Sequence, residues 1–177
     1  MMFMQELDLP NGVEIKVEEG SVTVKGRMGS AEKKINSRLV LLEVSPGKLT
    51  IKESDNKKLA RKSSLAVQSL SSELKSTIHG VTDGIERRMS IVYAHFPMTI
   101  EVKGDTVYIK NIFGERVPRV TKIAGNTKVE VKGQELRVKG VDQYDVGQTM
   151  ANIKKACFAR GYDTRVFQDG IYHVKED

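Results

Sequence analysis

Residues able to carry covalent or metal chemistry are few in this chain and lie far apart. Histidine occurs three times, at His79, His95 and His173, and none has a second ligand-type residue at metal-site spacing. His79 falls at a predicted helix end, where it suits the exposed carbonyls; all three histidines read as structural. Cys157 continues the apolar series Val146, Met150, Ile153, so it reads as a small buried hydrophobe and not a nucleophile. No Gly-x-x-x-x-Gly-Lys-Ser/Thr loop and no dinucleotide fingerprint occurs, and Gly26-Arg-Met-Gly29 is too slight to cradle a phosphate. The carboxylates are scattered beside lysines, as on a solvated sheet. Catalysis, a bound metal, a cofactor and a small-molecule substrate are therefore not expected.

The chemistry that remains is that of polyanion binding. The segment Lys110-Asn-Ile-Phe-Gly-Glu-Arg-Val-Pro-Arg119 leaves one strand, bends at Gly114, and returns through Arg116, Val117, Pro118 and Arg119 with Lys122 beyond. Arginine offers a planar fork of donors for phosphate oxygens, and Asn111 can reach a sugar or a base edge. A solvated turn with incidental charges is the other reading of the same residues. Phe113 has two readings as well: a base-stacking ring at the loop tip, or a core residue. A second mixed segment, Arg160-Gly-Tyr-Asp-Thr-Arg165 with Phe167-Gln-Asp-Gly-Ile-Tyr172, combines arginine, tyrosine and turn glycine. No tryptophan and no aromatic sheet motif is present, so recognition of folded RNA by shape is expected.

Alternation and helical periodicity suggest what carries these loops. Val13, Ile15 and Val17 take every second position; after Glu19-Gly20-Ser21 the beat resumes at Val22 and Val24, a hairpin pattern. Residues 38–44 form a further strand, Pro46-Gly47 a turn, and Leu49-Thr50-Ile51 the next strand. From about Lys57 the period lengthens: Leu59, Ala66, Val67, Leu70, Leu74 and Ile78 predict an amphipathic helix ended by His79-Gly80. Ile100, Val102, Val107 and Ile109 lie 85 positions after Ile15, Val17, Val22 and Val24, and Gly114 lies 85 after Gly29. A hairpin follows around Gly133-Gln134, then a second helix ending at Arg160-Gly161, then a short strand over 164–174 split at Asp169-Gly170.

That self-similarity predicts a tandem duplication of a small antiparallel, β-rich α+β unit with one packed helix. The expected units are 1–84 and 85–177, the boundary falling within 84–97 and residues 87–94 forming a strand that closes the first. The chain has 177 residues, enough for two small cores, with 29% charged and 39% hydrophobic residues, as in globular proteins. Its net charge of +6 favours an acidic partner. One cysteine argues against a disulfide framework and for a reducing, intracellular setting. The N-terminus lacks the pattern of a secretory signal, and no apolar run approaches the ~20 residues of a membrane span.

Four stretches together resemble the large-subunit ribosomal protein L-six family in its archaeal and eukaryotic-type form. They are Gly80-Val-Thr-Asp-Gly84, Val92-Tyr-Ala-His-Phe-Pro97, Lys110-Asn-Ile-Phe-Gly-Glu115 with Pro118-Arg119, and Arg165-Val-Phe-Gln-Asp-Gly-Ile-Tyr172. The resemblance implies a non-catalytic, cytoplasmic structural protein of the large ribosomal subunit. It implies that the second unit binds rRNA near the sarcin–ricin and factor-binding region, beside ribosomal proteins at the stalk base. Carried over by position, it gives RNA contact to Lys110, Asn111, Gly114, Arg116 and Arg119, and to Arg160, Arg165 and Gln168. Ser71 and Ser76 depart from the family, which tends to arginine and asparagine there. The rival class is a non-ribosomal protein–protein scaffold with basic loops.

Overall fold

The computed structural model describes residues 4–174 apart from 11, 19, 46 and 55–58. The expected helix start near Lys57, and the Glu19 and Pro46 positions of two expected turns, lie outside the described residues. The chain divides into two compact units, the first ending at Gly84 and the second beginning at Ile85.

In the first unit the alternating apolar residues produce two antiparallel sheets. One is ordered β2-β3-β4, from β2 (Glu14–Glu18), β3 (Ser21–Gly26) and β4 (Gly29–Lys34). The other is ordered β1-β6-β5, from β1 (Met4–Asp8), β6 (Lys48–Glu53) and β5 (Val40–Ser45). Val22, Val24, Leu49 and Ile51 are fully buried where helix α1 (Ala60–Thr82) packs on both sheets. The inward stripe of α1 is wider than its apolar residues alone: Ser63, Ser71 and Thr77 are buried beside Val67, Leu70, Leu74 and Ile78. The Thr77 hydroxyl donates to the Glu73 carbonyl one turn back (2.8 Å), which removes the cost of burying it. Buried Ser71 is thus a packing residue of the first unit.

The second unit repeats the plan and adds a strand. The β10-β9-β8 sheet, from β8 (Thr99–Lys103), β9 (Thr106–Lys110) and β10 (Arg119–Lys122), is the counterpart of β2-β3-β4. The other sheet is ordered β11-β12-β7-β13, from β11 (Lys128–Lys132), β12 (Glu135–Gly140), β7 (Ile85–Val92) and β13 (Gly170–His173). The correspondence extends to register. Leu7 faces Leu49 across β1 and β6, and Met89 faces Leu136 across β7 and β12. Helix α2 (Gln143–Ala156) starts at Asp142, whose carboxylate accepts the Tyr144 N–H (3.0 Å), and buries Val146, Thr149, Met150 and Ile153. The fold is therefore α+β, a duplicated β-rich unit with one packed helix in each copy.

Four boundaries differ from the sequence reading. Residues 87–94 do not close the first unit: β7 pairs with β12 and β13, inside the second, because it is the counterpart of β1. Helix α1 runs through Gly80, which is buried, and the left-handed residue after its end is Gly84 (φ 79°). Helix α2 stops at Ala156, well before Arg160. The final strand is short, and residues 164–166 form a turn.

Candidate nucleic-acid interface

The connection from β9 to β10 is where the two copies diverge most clearly. Val24 pairs with Ala31, seven positions on, but Ile109 pairs with Arg119, ten positions on. The second unit has therefore gained three residues in a loop that the first closes through Arg27 and Met28 alone. Its start is tightly wound: Asn111 (φ 60°), Phe113 (φ 50°) and Gly114 (φ 76°) all have left-handed backbones around a short 3₁₀ turn at Ile112–Gly114. Two non-glycine residues in that region are costly and persist only when surroundings hold them. Ile112 is fully buried, and the Asn111 amide donates to the Pro97 carbonyl (3.0 Å). At Gly114 the positive φ itself disfavours a side chain, and a Cβ would also sit 3.3 Å from the Phe96 ring, which would have to give by a few tenths of an ångström.

Phe113 is not a stacking ring at the loop tip. It is 6% exposed, stacked on Tyr162 (centroids 5.1 Å apart), and edge-on to Phe167 at 6.4 Å. A base has no open face to meet there. The aromatic group instead pins the 160–168 segment beside the loop, which brings the two predicted basic segments together. Asp169 holds that segment from behind: its buried carboxylate accepts the Ala94 N–H at 2.7 Å.

Arg119 likewise differs from expectation. Being opposite Ile109, it faces the inner side of the sheet, and its side chain is 20% exposed. Its guanidinium donates from Nε and Nη2 to the two Glu115 carboxylate oxygens at 2.8 and 2.6 Å. Nη1 donates to the Ala156 carbonyl at the end of α2 (2.8 Å) and to the Phe158 carbonyl (2.7 Å). Four of its five donors are thus used inside the protein, and its positive charge sits at the negative end of a helix. Hydrogen bonding with Glu115 raises the Arg119 pKa and lowers that of Glu115. Arg119 clamps the loop to α2 and has little left to offer a phosphate. Nearby Cys157 is buried and its thiol is pushed up to about 11, chiefly by desolvation, so it stays protonated and inert at neutral pH.

The other predicted positions divide by exposure. Lys110 pairs with Glu101, whose pKa is lowered first by the Lys110 hydrogen bond. Pro118 is half-buried at the loop's return. Arg116, Lys122, Arg160 and Arg165 are exposed with no ion pair among the described residues, and Gln168 is exposed beside them in sequence. Val117, 77% exposed, crowns the insertion next to Arg116. The sequence reading overlooked Glu115 and Tyr162, which fix this surface; the four-residue Glu115–Arg119 spacing was the available signal for the first. Among the described residues no group of three or more His, Cys, Asp or Glu could hold a metal, and no helix is long and apolar enough to cross a membrane.

Residues 96–170, which contain this surface, match the family model described as ribosomal protein L6. Over nearly its whole length the chain is similar to proteins named large ribosomal subunit protein uL6. The one from Methanosarcina mazei is 39% identical, with 96% of this chain and 95% of the relative covered. That from Methanobrevibacter smithii is 40% identical (98% and 96% covered), and that from Methanothrix thermoacetophila 39% (98% and 97%). Two α+β units in tandem, a loop insertion confined to the second, and this similarity along both units lead to one conclusion: the chain belongs to the ribosomal protein L6 family.

Proposed function

We propose that the chain is a non-catalytic structural protein of the large ribosomal subunit, working in the cytoplasm. Its second unit binds folded rRNA near the sarcin–ricin and factor-binding region, beside ribosomal proteins at the stalk base. The observation that carries the reading is the set of exposed cations Arg116, Arg160, Arg165 and Lys122, which make no ion pair among the described residues, on elements braced from within. The brace is the Glu115–Arg119 clamp on one side and the Phe113–Tyr162 stack on the other. Cations on a preformed surface meet phosphates without first ordering a loop, so less binding free energy is lost to entropy. Their contacts position the protein on the RNA and carry no base sequence.

The experiment is co-sedimentation of the tagged protein with large subunits, alongside binding to an rRNA fragment spanning the sarcin–ricin region at several salt concentrations. Replacing Arg116 and Lys122 with Ala removes about two counterion-releasing contacts, so the slope of log K against log salt flattens by roughly 1–2. Thermal stability stays within about 0.5 kcal/mol of wild type, because both side chains are exposed and make no ion pair among the described residues. Recovery only as free protein, or in a complex lacking rRNA, would favour the scaffold reading instead.

A further inference from the structure

The two copies treat one strand edge differently. β7 is paired on both sides, by β12 and β13, whereas its counterpart β1 pairs only with β6 among the described residues. The equivalence holds residue by residue. Leu9 N–H donates to the Gly47 carbonyl (2.9 Å), as Ile91 N–H donates to the Gln134 carbonyl (2.8 Å). In an antiparallel ladder this turns the peptide groups of the alternate residues to the other edge. In β7 those residues are Arg88, whose carbonyl accepts the Val174 N–H (3.2 Å), and Ser90, opposite Tyr172. In β1 they are Glu6 and Asp8, and their peptide groups face the open edge.

The place that β13 fills in the second unit is a groove in the first. β13 lies along Met89–Val92 and buries Ile171 opposite Ile91. At the matching residues of β1, a groove of about 460 Å³ runs between the strand and α1. Leu7 and Pro10 line it on one side, and Ile78, His79 and Thr82 on the other. Leu9, the counterpart of Ile91, is left half-buried.

The direction of the side chains sets the chemistry of an occupant. Leu7 is buried toward α1, so exposed Glu6 and Asp8 project from the opposite face of the strand. Lys48 of β6 answers Glu6 at 3.3 Å, and Asp8 makes no ion pair among the described residues. A strand laid beside β1 sets its outward residues directly across from these two carboxylates, where opposite charge stabilises and like charge destabilises. That disfavours a second copy of β1 and selects a basic strand. Pro10 has no N–H, which limits the new bonds to Glu6 and Asp8.

We infer that the open edge of β1 takes an added antiparallel strand from a partner protein. That segment alternates apolar residues toward α1 with basic residues toward Glu6 and Asp8. The inference goes beyond the rRNA reading, since it gives the first unit a protein contact, and neither depends on the other.

The test titrates two synthetic peptides into the isotope-labelled full chain and follows amide shifts. Both span residues 168–174 of this chain, altered at the two outward positions of β13. One carries Tyr172→Lys and Val174→Lys, the other Tyr172→Glu and Val174→Glu. The lysine peptide should bind at least about tenfold more tightly, with shifts over residues 6–10 and 75–83. In the full chain, Glu6→Lys with Asp8→Lys should invert the order of the two peptides. Its Tm should hardly change, because the only ion pair lost is an exposed one. Equal binding of the two peptides, no binding by either, or shifts confined to the second unit would overturn the inference. So would concentration-dependent broadening over residues 6–10 without peptide, which would assign the edge to a second copy. Affinity for the rRNA fragment is measured separately on the same proteins, so its loss or retention bears only on the rRNA reading.

Discussion

Arg119 shows how far the role of a single charge depends on the side of the strand from which it projects. As one of several arginines in a basic loop it reads as a phosphate ligand. Its register opposite Ile109 turns it inward, onto Glu115 and the last carbonyls of α2. Arg119→Ala leaves those acceptors and a carboxylate without their donor. The expected loss is about 2 kcal/mol, on the order of 10 °C in Tm for a unit of this size. Arg119→Lys recovers little, since a single ammonium cannot serve two carboxylate oxygens and two carbonyls together. The Glu115 carboxyl is held below its ordinary 4.5, so its contribution is present above that value and disappears as pH falls through the lower folded-state pKa. Glu115→Gln therefore destabilises near about pH 7, and its deficit against wild type shrinks as the pH is lowered below the ordinary carboxyl range, which thermal melts across pH will show.

At the scale of elements, the close approach of α1 to the β3–β4 hairpin depends on Gly26. The Met28 N–H donates to the Val81 carbonyl (2.9 Å), and a Cβ on Gly26 would press on the same oxygen from 2.6 Å. Gly26→Ala must push the hairpin off the helix, at about 1–3 kcal/mol. Hydrogen exchange should rise over β3, β4 and the end of α1, with the second unit unaffected. The strands β2, β3, β11 and β12 were legible because apolar and charged residues alternate along them, although only β3 and β12 bury both of their apolar positions. Strand β4 was not: Gly-Ser-Ala-Glu-Lys-Lys buries only Ala31, and the segment is a strand because β3 offers it a free edge. Strand β1 was missed because Leu7 alone is buried in it, and that omission displaced β7 into the wrong unit. The candidate loop was found from residue types. The inward turn of Phe113 and Arg119 was not, since it follows from pairing register and packing that no local spacing encodes.

For the whole molecule, β7 decides where the chain can be divided. Both β12 and β13 pair with it, and fully buried Met89 lies at its centre. A fragment spanning 85–177 should fold alone and melt cooperatively, because the described residues of its core cluster all lie at or after Ile85. One spanning 97–177 also follows an apparent boundary but loses the strand that joins β12 to β13. It should show a collapsed amide spectrum and no cooperative melt. A well-dispersed spectrum from the shorter fragment would contradict this account of the sheet.

The same strand has a history during synthesis. Met89 pairs with Leu136, made 47 residues later, and Ile91 pairs with Ile171, made 80 residues later. At about 5–20 residues per second, β7 waits some 4–16 s before its second edge is covered. An open apolar edge on a nascent chain invites pairing with the wrong strand. Glu86, Arg87 and Arg88, exposed immediately before Met89, place three charges beside that edge. They act as gatekeepers for the waiting strand, disfavouring association with a neighbouring chain until β13 arrives.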